Sequence, residues 1–137
     1  MSKSISSMIV LAIFFALVLG GCAFTKNPVL KGGYQSEHVN GYVVQLSFQP
    51  IDNSFIQYID NREVDKGTYE QLDNGVYKIN GDIQQFEITL NSDDSFEIIV
   101  KKLNDGKPIT LENIDKTPVY FSPKFDDVEE YKSLIEE

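Results

Sequence analysis

Alternation of apolar and polar residues, in short runs separated by tight-turn signals, limits what this chain can fold into more than any other feature. Tyr42, Val44, Leu46 and Phe48 share one face of a segment whose other face carries Val43, Gln45 and Ser47. Phe86, Ile88 and Leu90 alternate with Glu87 and Thr89, and Phe96, Ile98 and Val100 with Glu97, Ile99 and Lys101. Successive side chains of a strand point to opposite faces, so a period of two is the pattern of a strand with one buried face. Less regular β-rich runs lie at 33–38, 54–60, 67–72, 75–80 and 117–121. Between the runs sit Asn40-Gly41, Asp73-Asn74-Gly75, Asn80-Gly81-Asp82 and Asn104-Asp105-Gly106. Asn, Asp and Gly tolerate the positive φ that tight hairpins need, so 67–91 reads as a meander of antiparallel strands.

The end of the chain changes period. After Pro123, Asp126 or Asp127 can cap a helix in which Val128, Tyr131, Leu134 and Ile135 form one apolar face. Glu136 and Glu137 oppose the helix dipole, so its last turn is expected to fray. The expected fold is therefore all-β, mainly an antiparallel meander of about eight strands closed as a small barrel or stacked as a sandwich, with one C-terminal α-helix.

The beginning of the chain carries a different signal. Lys3 precedes an uninterrupted apolar run, Met8 to Leu19, which is too short to span a ~30 Å hydrocarbon core and has the form of a signal-peptide core. It ends in Leu19-Gly20-Gly21-Cys22, which resembles the lipobox of bacterial lipoproteins. The resemblance implies that residues 1–21 are removed and that the Cys22 thiol carries a diacylglyceryl group. Cys22 is the only cysteine, so it has no intramolecular disulfide partner. Two or three acyl chains, at ~0.8 kcal/mol per buried CH₂, make a stable anchor where one does not. The localisation expected from the resemblance is extracytoplasmic, on the cell membrane. Ala23, rather than Asp, after the cysteine favours the outer membrane if the organism is Gram-negative.

Charge then separates tether from domain. Residues 22–32 carry Lys26 and Lys31 and no acid, and are expected to form a tether of at most ~35 Å when extended. Residues 33–137, one β-rich domain, carry nine basic and 21 acidic side chains, a net of −12. Such a domain is repelled by anionic headgroups and is expected to stand off the bilayer. With one arginine, Arg62, and no basic stripe, nucleic acid is excluded as a partner.

Gly32-Gly33-Tyr34 at the first strand, followed by a meander and a helix, is similar in the order of elements to lipocalin-like small β-barrels. That family has Trp where this chain has Tyr34, and there is no Trp anywhere here. The resemblance implies architecture alone, and no binding residue is carried over from it.

Candidate sites remain. Tyr34, Tyr42, Phe48, Phe55, Tyr58, Tyr69, Tyr77, Phe86 and Phe96 fall in or beside strands. Within a barrel, Tyr42, Phe48, Tyr58, Tyr69, Tyr77, Phe86 and Phe96 are candidates to line a pocket for a small apolar ligand. Core packing with tyrosine hydroxyls at the rim accounts for the same residues. His38, the sole histidine, lies in a polar stretch, and neither Ser36 nor Ser47 sits in a nucleophile turn. Acids cluster at Asp60/Glu63/Asp65, Asp93/Asp94 and Asp126/Asp127/Glu129/Glu130, none in a calcium-loop pattern, and read as solvated turns and a helix start. One histidine and one lipidated cysteine supply no zinc site. No cofactor or metal is expected. The expectation is a non-enzymatic envelope lipoprotein that binds a small apolar ligand. The alternatives are a protein-interaction or inhibitor module at the membrane surface and, last, a hydrolase using His38 or paired carboxylates.

Overall fold

The computed structural model describes residues 28–136. The expected leader 1–21, Cys22 and tether residues 23–27 lie outside the described residues. Eight strands form one antiparallel sheet: β1 (Gly32–Ser36), β2 (Val44–Gln49), β3 (Ser54–Ile59), β4 (Arg62–Asp73), β5 (Val76–Gly81), β6 (Gln85–Thr89), β7 (Ser95–Ile98) and β8 (Ile109–Asp115). Their order is β6-β5-β4-β3-β2-β1-β8-β7. The meander from β1 to β6 curls round, and the β7–β8 hairpin returns to pair with β1. The barrel is thus nearly closed, with its unladdered seam between β6 and β7. Only a tight turn joins these two, where Asn91 N donates to Ser95 O at 2.8 Å.

The turns follow from their residues. Asn40 and Gly41 both take positive φ, and Val39 and Tyr42 exchange both backbone hydrogen bonds around them. Asp60-Asn61, a turn without glycine, takes the same left-handed pair of φ values, 48° and 68°, and joins β3 to β4. It lets β4 start at Arg62, five residues before the run expected from the sequence.

One face of every strand points into the barrel. Phe48 pairs across β2–β3 with Phe55 and across β1–β2 with Gly32, while Tyr34 lies opposite Leu46. The inward side chains join in one core with Ile59, Val64, Ile79, Ile88, Ile98, Ile109 and Leu111. Two pieces of chain close the ends. Leu30, only 1% exposed, enters at the end where β1 starts, so the segment expected to be a free tether up to residue 32 belongs to the domain from Leu30 on. At the other end α1 (Val128–Lys132), continued by a turn at 133–135, carries Ile135 fully into the core.

The run 117–121, expected as the eighth strand, is not one. The eighth strand is Ile109–Asp115, whose alternation is masked in the sequence. Ile109 and Leu111 point inward, the next inward place is Asn113, and a register shift opposite Gly33/Tyr34 leaves Ile114 outside. Residues 116–127 instead form a strap that crosses the outer face of β1, β2 and β3 from one barrel end to the other. Pro118 has no amide to give a ladder. Val119 N donates to the Ser47 hydroxyl at 2.8 Å, and Phe121 packs edge-on to Tyr58 at 4.8 Å. This explains why Gln45, Ser47 and Tyr58, on the outward side, are nonetheless buried.

Candidate functional site

The seven aromatics considered for a ligand pocket divide into three groups. Phe48, Tyr69, Tyr77 and Phe96 lie inside the barrel, where Phe48 touches Tyr69 at 5.2 Å and Phe96 at 6.1 Å and Tyr69 touches Tyr77 at 6.3 Å. Tyr34 and Phe55 complete this cluster of rings. Burial, and then the neighbouring Tyr77, push the Tyr69 phenol up to about 12. Phe86 is half-buried at its margin. Tyr42 and Tyr58 lie elsewhere: Tyr42 meets Tyr131 of α1 at 5.8 Å at the barrel mouth, and Tyr58 lies outside the wall beneath the strap. A void of ≈ 10 Å³ beside Tyr58, Gly33 and Val119 is about the space of one water.

Among the inward side chains one is out of character. Gln57 faces the interior opposite Leu46, is 0% exposed, and among the described residues neither its amide nitrogen nor its amide oxygen has a hydrogen-bond partner. A buried amide without partners carries its full desolvation penalty.

The acidic clusters are expected to be solvated, and at least one member of each is instead committed to the fold. Asp65, 4% exposed, accepts from the backbone amides of Lys66, Ile83 and Gln84 and so fixes the β5–β6 turn. A side chain on Gly81 would meet that carboxylate at 2.3 Å, so glycine is required there for close approach. Asp94 accepts the Tyr34 hydroxyl at 2.6 Å and pairs with Lys116 through its other oxygen. Burial above all, with that hydrogen bond, pushes the Tyr34 phenol well above its usual range. Asp127 is at the α1 N-terminus but makes no side-chain cap; both its oxygens are taken by Arg62.

Arg62 is the residue that sequence reasoning passed over. Its guanidinium binds Asp127 through Nε at 3.0 Å and Nη2 at 2.9 Å, and donates from Nη1 to Asp60 O at 2.7 Å. It lies 3.9 Å from the Phe125 ring centroid and 4.6 Å from that of Tyr131. The bidentate fork and flat cation-π face of arginine suit this double role. The signal available in the sequence was that a chain this acidic keeps a single arginine. Beside it lies an open cleft of ≈ 420 Å³ with Glu63, Lys124 and Lys132 on its walls.

A larger open cleft of ≈ 600 Å³ runs along the outside of β1 and β8, lined by Gln35, Glu37, His38, Thr110, Glu112 and Ile114 among others. His38 and Glu37 are exposed there. The hydroxyls that a His38-dependent reaction would need are engaged by backbone: Ser36 Oγ donates to Glu37 O and accepts from Val44 N, and Ser47 Oγ accepts from Val119 N. Among the described residues no cluster of three His, Cys, Asp or Glu could hold a metal ion, and no helix is long and apolar enough to cross a membrane. No family model matches the chain, no curated protein matches it, and no solved structure matches it.

Proposed function

We propose that this chain is an extracytoplasmic lipoprotein, held by an acylated Cys22, whose barrel acts as a non-enzymatic protein-interaction module. The observation that carries the reading is the ring packing round Phe48: a barrel interior occupied by its own aromatics leaves the outer surface as the place to bind. Of that surface, the cleft along β1 and β8 presents Glu37 and Glu112 beside the exposed Ile114, a combination suited to a basic segment of another envelope protein. Photo-crosslinkers at Glu37 and Thr110 in cells should give one discrete adduct that Glu112→Lys abolishes. Adducts that are absent, or unaffected by the reversed charge, refute the reading. Acyl mass on the membrane-extracted protein, and release of Cys22→Ala from the membrane, test the anchor separately.

A second reading, a small apolar ligand inside the barrel, is favoured by one observation. The unpartnered Gln57 amide is a polar handle in an apolar interior, the arrangement by which pockets orient ligands. Native mass spectrometry of the protein from membranes decides this: a stoichiometric small molecule supports it, and bare protein removes it.

A further inference from the structure

The strands fix which end of the barrel the anchor reaches. β1 starts, and the chain toward Cys22 leaves, at the end that also carries the β2–β3 and β4–β5 turns. Three of the large exposed apolar side chains stand at this end. Ile51 is 91% exposed at the tip of the β2–β3 turn. Leu72 is 49% exposed in the β4–β5 hairpin, and Val29 is 59% exposed in the departing chain. The hairpin projects, because Ser54 at the start of β3 pairs with Thr68 and β4 continues to Asp73. Cys22 is six residues before Pro28, so it lies within roughly 20 Å of the barrel even when that segment is fully extended.

We propose that this apolar rim is a membrane-contact surface: Ile51, Leu72 and Val29 dip into the headgroup–acyl boundary of the leaflet that holds the Cys22 lipid, fixing the barrel upright with the α1 end outward. The proposal rests on the lipoprotein reading above and replaces the stand-off posture expected from net charge. Its occupant is a lipid surface because the chain outside the structure ends, within that short span, in the residue that carries the lipid. Asp52, Asp73, Asp93, Asp94 and Asp115 lie at this end; Asp94 is paired with Lys116 and the others bring negative charge, which directs the contact to zwitterionic rather than anionic lipid. Asp52 accepts from Ser54 N and Oγ, and Asp73 accepts from Asn74 N, so these carboxylates are tied back into their own turns. Carboxylates that close to the headgroups lie inside the ~8 Å Debye length and are not screened, so the surface is suited to zwitterionic lipid. Ile83 and Ile99 are exposed apolar side chains at the opposite end, which makes them controls for mere stickiness.

The chain has no tryptophan, so single reporters are clean. Ile51→Trp, Leu72→Trp and Ile99→Trp proteins would be purified from membranes with their native anchors. Each would then be reconstituted into phosphatidylcholine vesicles containing lipids brominated near the headgroup end of the chains. The expected result is that Trp at 51 and at 72 loses most of its emission while Trp at 99 keeps it. Equal emission at all three positions, quenched or not, overturns the proposal while leaving the anchor intact. The mass of the same samples separates the two claims: an unmodified Cys22 refutes the lipoprotein reading, and the proposal falls with it.

Discussion

In the barrel wall Phe48 touches four other rings and sits in a continuous ladder between β1 and β3, whereas in the strap Val119 is held by one hydrogen bond to one hydroxyl. The wall is maintained by many interchangeable contacts and the strap by a few specific ones: Lys116 on Asp94, Val119 on Ser47, Phe121 on Tyr58, Asp127 on Arg62. A dispersed apolar core loses stability globally when damaged, because every strand shares it. A segment tied at discrete points opens locally while the rest stays folded. The strap and α1 are therefore the low-stability part of the molecule.

Phe48→Ala carries the largest expected effect, a loss of about 3–5 kcal/mol in urea unfolding, with wall and strap signals melting together. A small loss would mean that the interior has room to adjust, and would move weight to the ligand reading. Gln57→Met comes next and has the opposite sign. Removing two unsatisfied polar atoms from a fully buried site should stabilise the protein by about 1–3 kcal/mol. Destabilisation instead would show that the amide has a bound partner in solution.

Arg62→Gln tests the strap. Arg62 and Asp127 keep side-chain exposures of 20% and 31%, so the effect is local and smaller than that of a core deletion. Amide exchange at Ser133 and Leu134, which bond back to Glu129 and Tyr131, should accelerate while β2 and β3 amides are unchanged. Acid gives the same test without mutation. The hydrogen bond from Arg62 holds the Asp127 carboxyl below its ordinary value of 3.8. A depressed folded-state pKa means that the bond contributes fully above 3.8 and is lost as pH falls through the lower folded value. Helix-end protection factors, with the intrinsic pH dependence of exchange divided out, should therefore fall below about pH 4 in the native protein and stay unchanged in Arg62→Gln. If β2 amides accelerate in step, strap and wall are one cooperative unit.

The same contrast explains what could be read from the sequence. Alternation over 42–48, 86–90 and 96–100 states which side chains face inward, and the structure keeps Val44, Leu46, Phe48, Ile88, Phe96 and Ile98 inside. Periodicity is a property of neighbours along the chain, so it survives in a linear string. The strap has none. Val119 and Phe121 look like strand residues because β-branched and aromatic side chains suit any extended chain, and their partners lie 72 and 63 residues away. Pairwise contacts over that distance leave no trace in composition or spacing. The acids show the same gap: Asp65 reads like Glu63 in the string, and only the fold points one at three backbone amides and leaves the other in solvent.

The smallest expected effects separate two ties of the strap that lie two residues apart. Ser47→Ala leaves the Val119 amide unpaired at a half-buried position, against a serine only 4% exposed, and should cost about 0.5–1.5 kcal/mol. Tyr58→Phe keeps the edge-on ring contact with Phe121 and removes a hydroxyl that only just reaches Phe121 N, at 3.5 Å. At that length a hydrogen bond is weak, so the change should lie within roughly 0.5 kcal/mol of zero. Both are measured by the same urea titration with strap-specific exchange. If Tyr58→Phe proves the costlier of the two, the strap is held by its tyrosine hydroxyl and not by the serine, and the ranking of its ties has to be reversed.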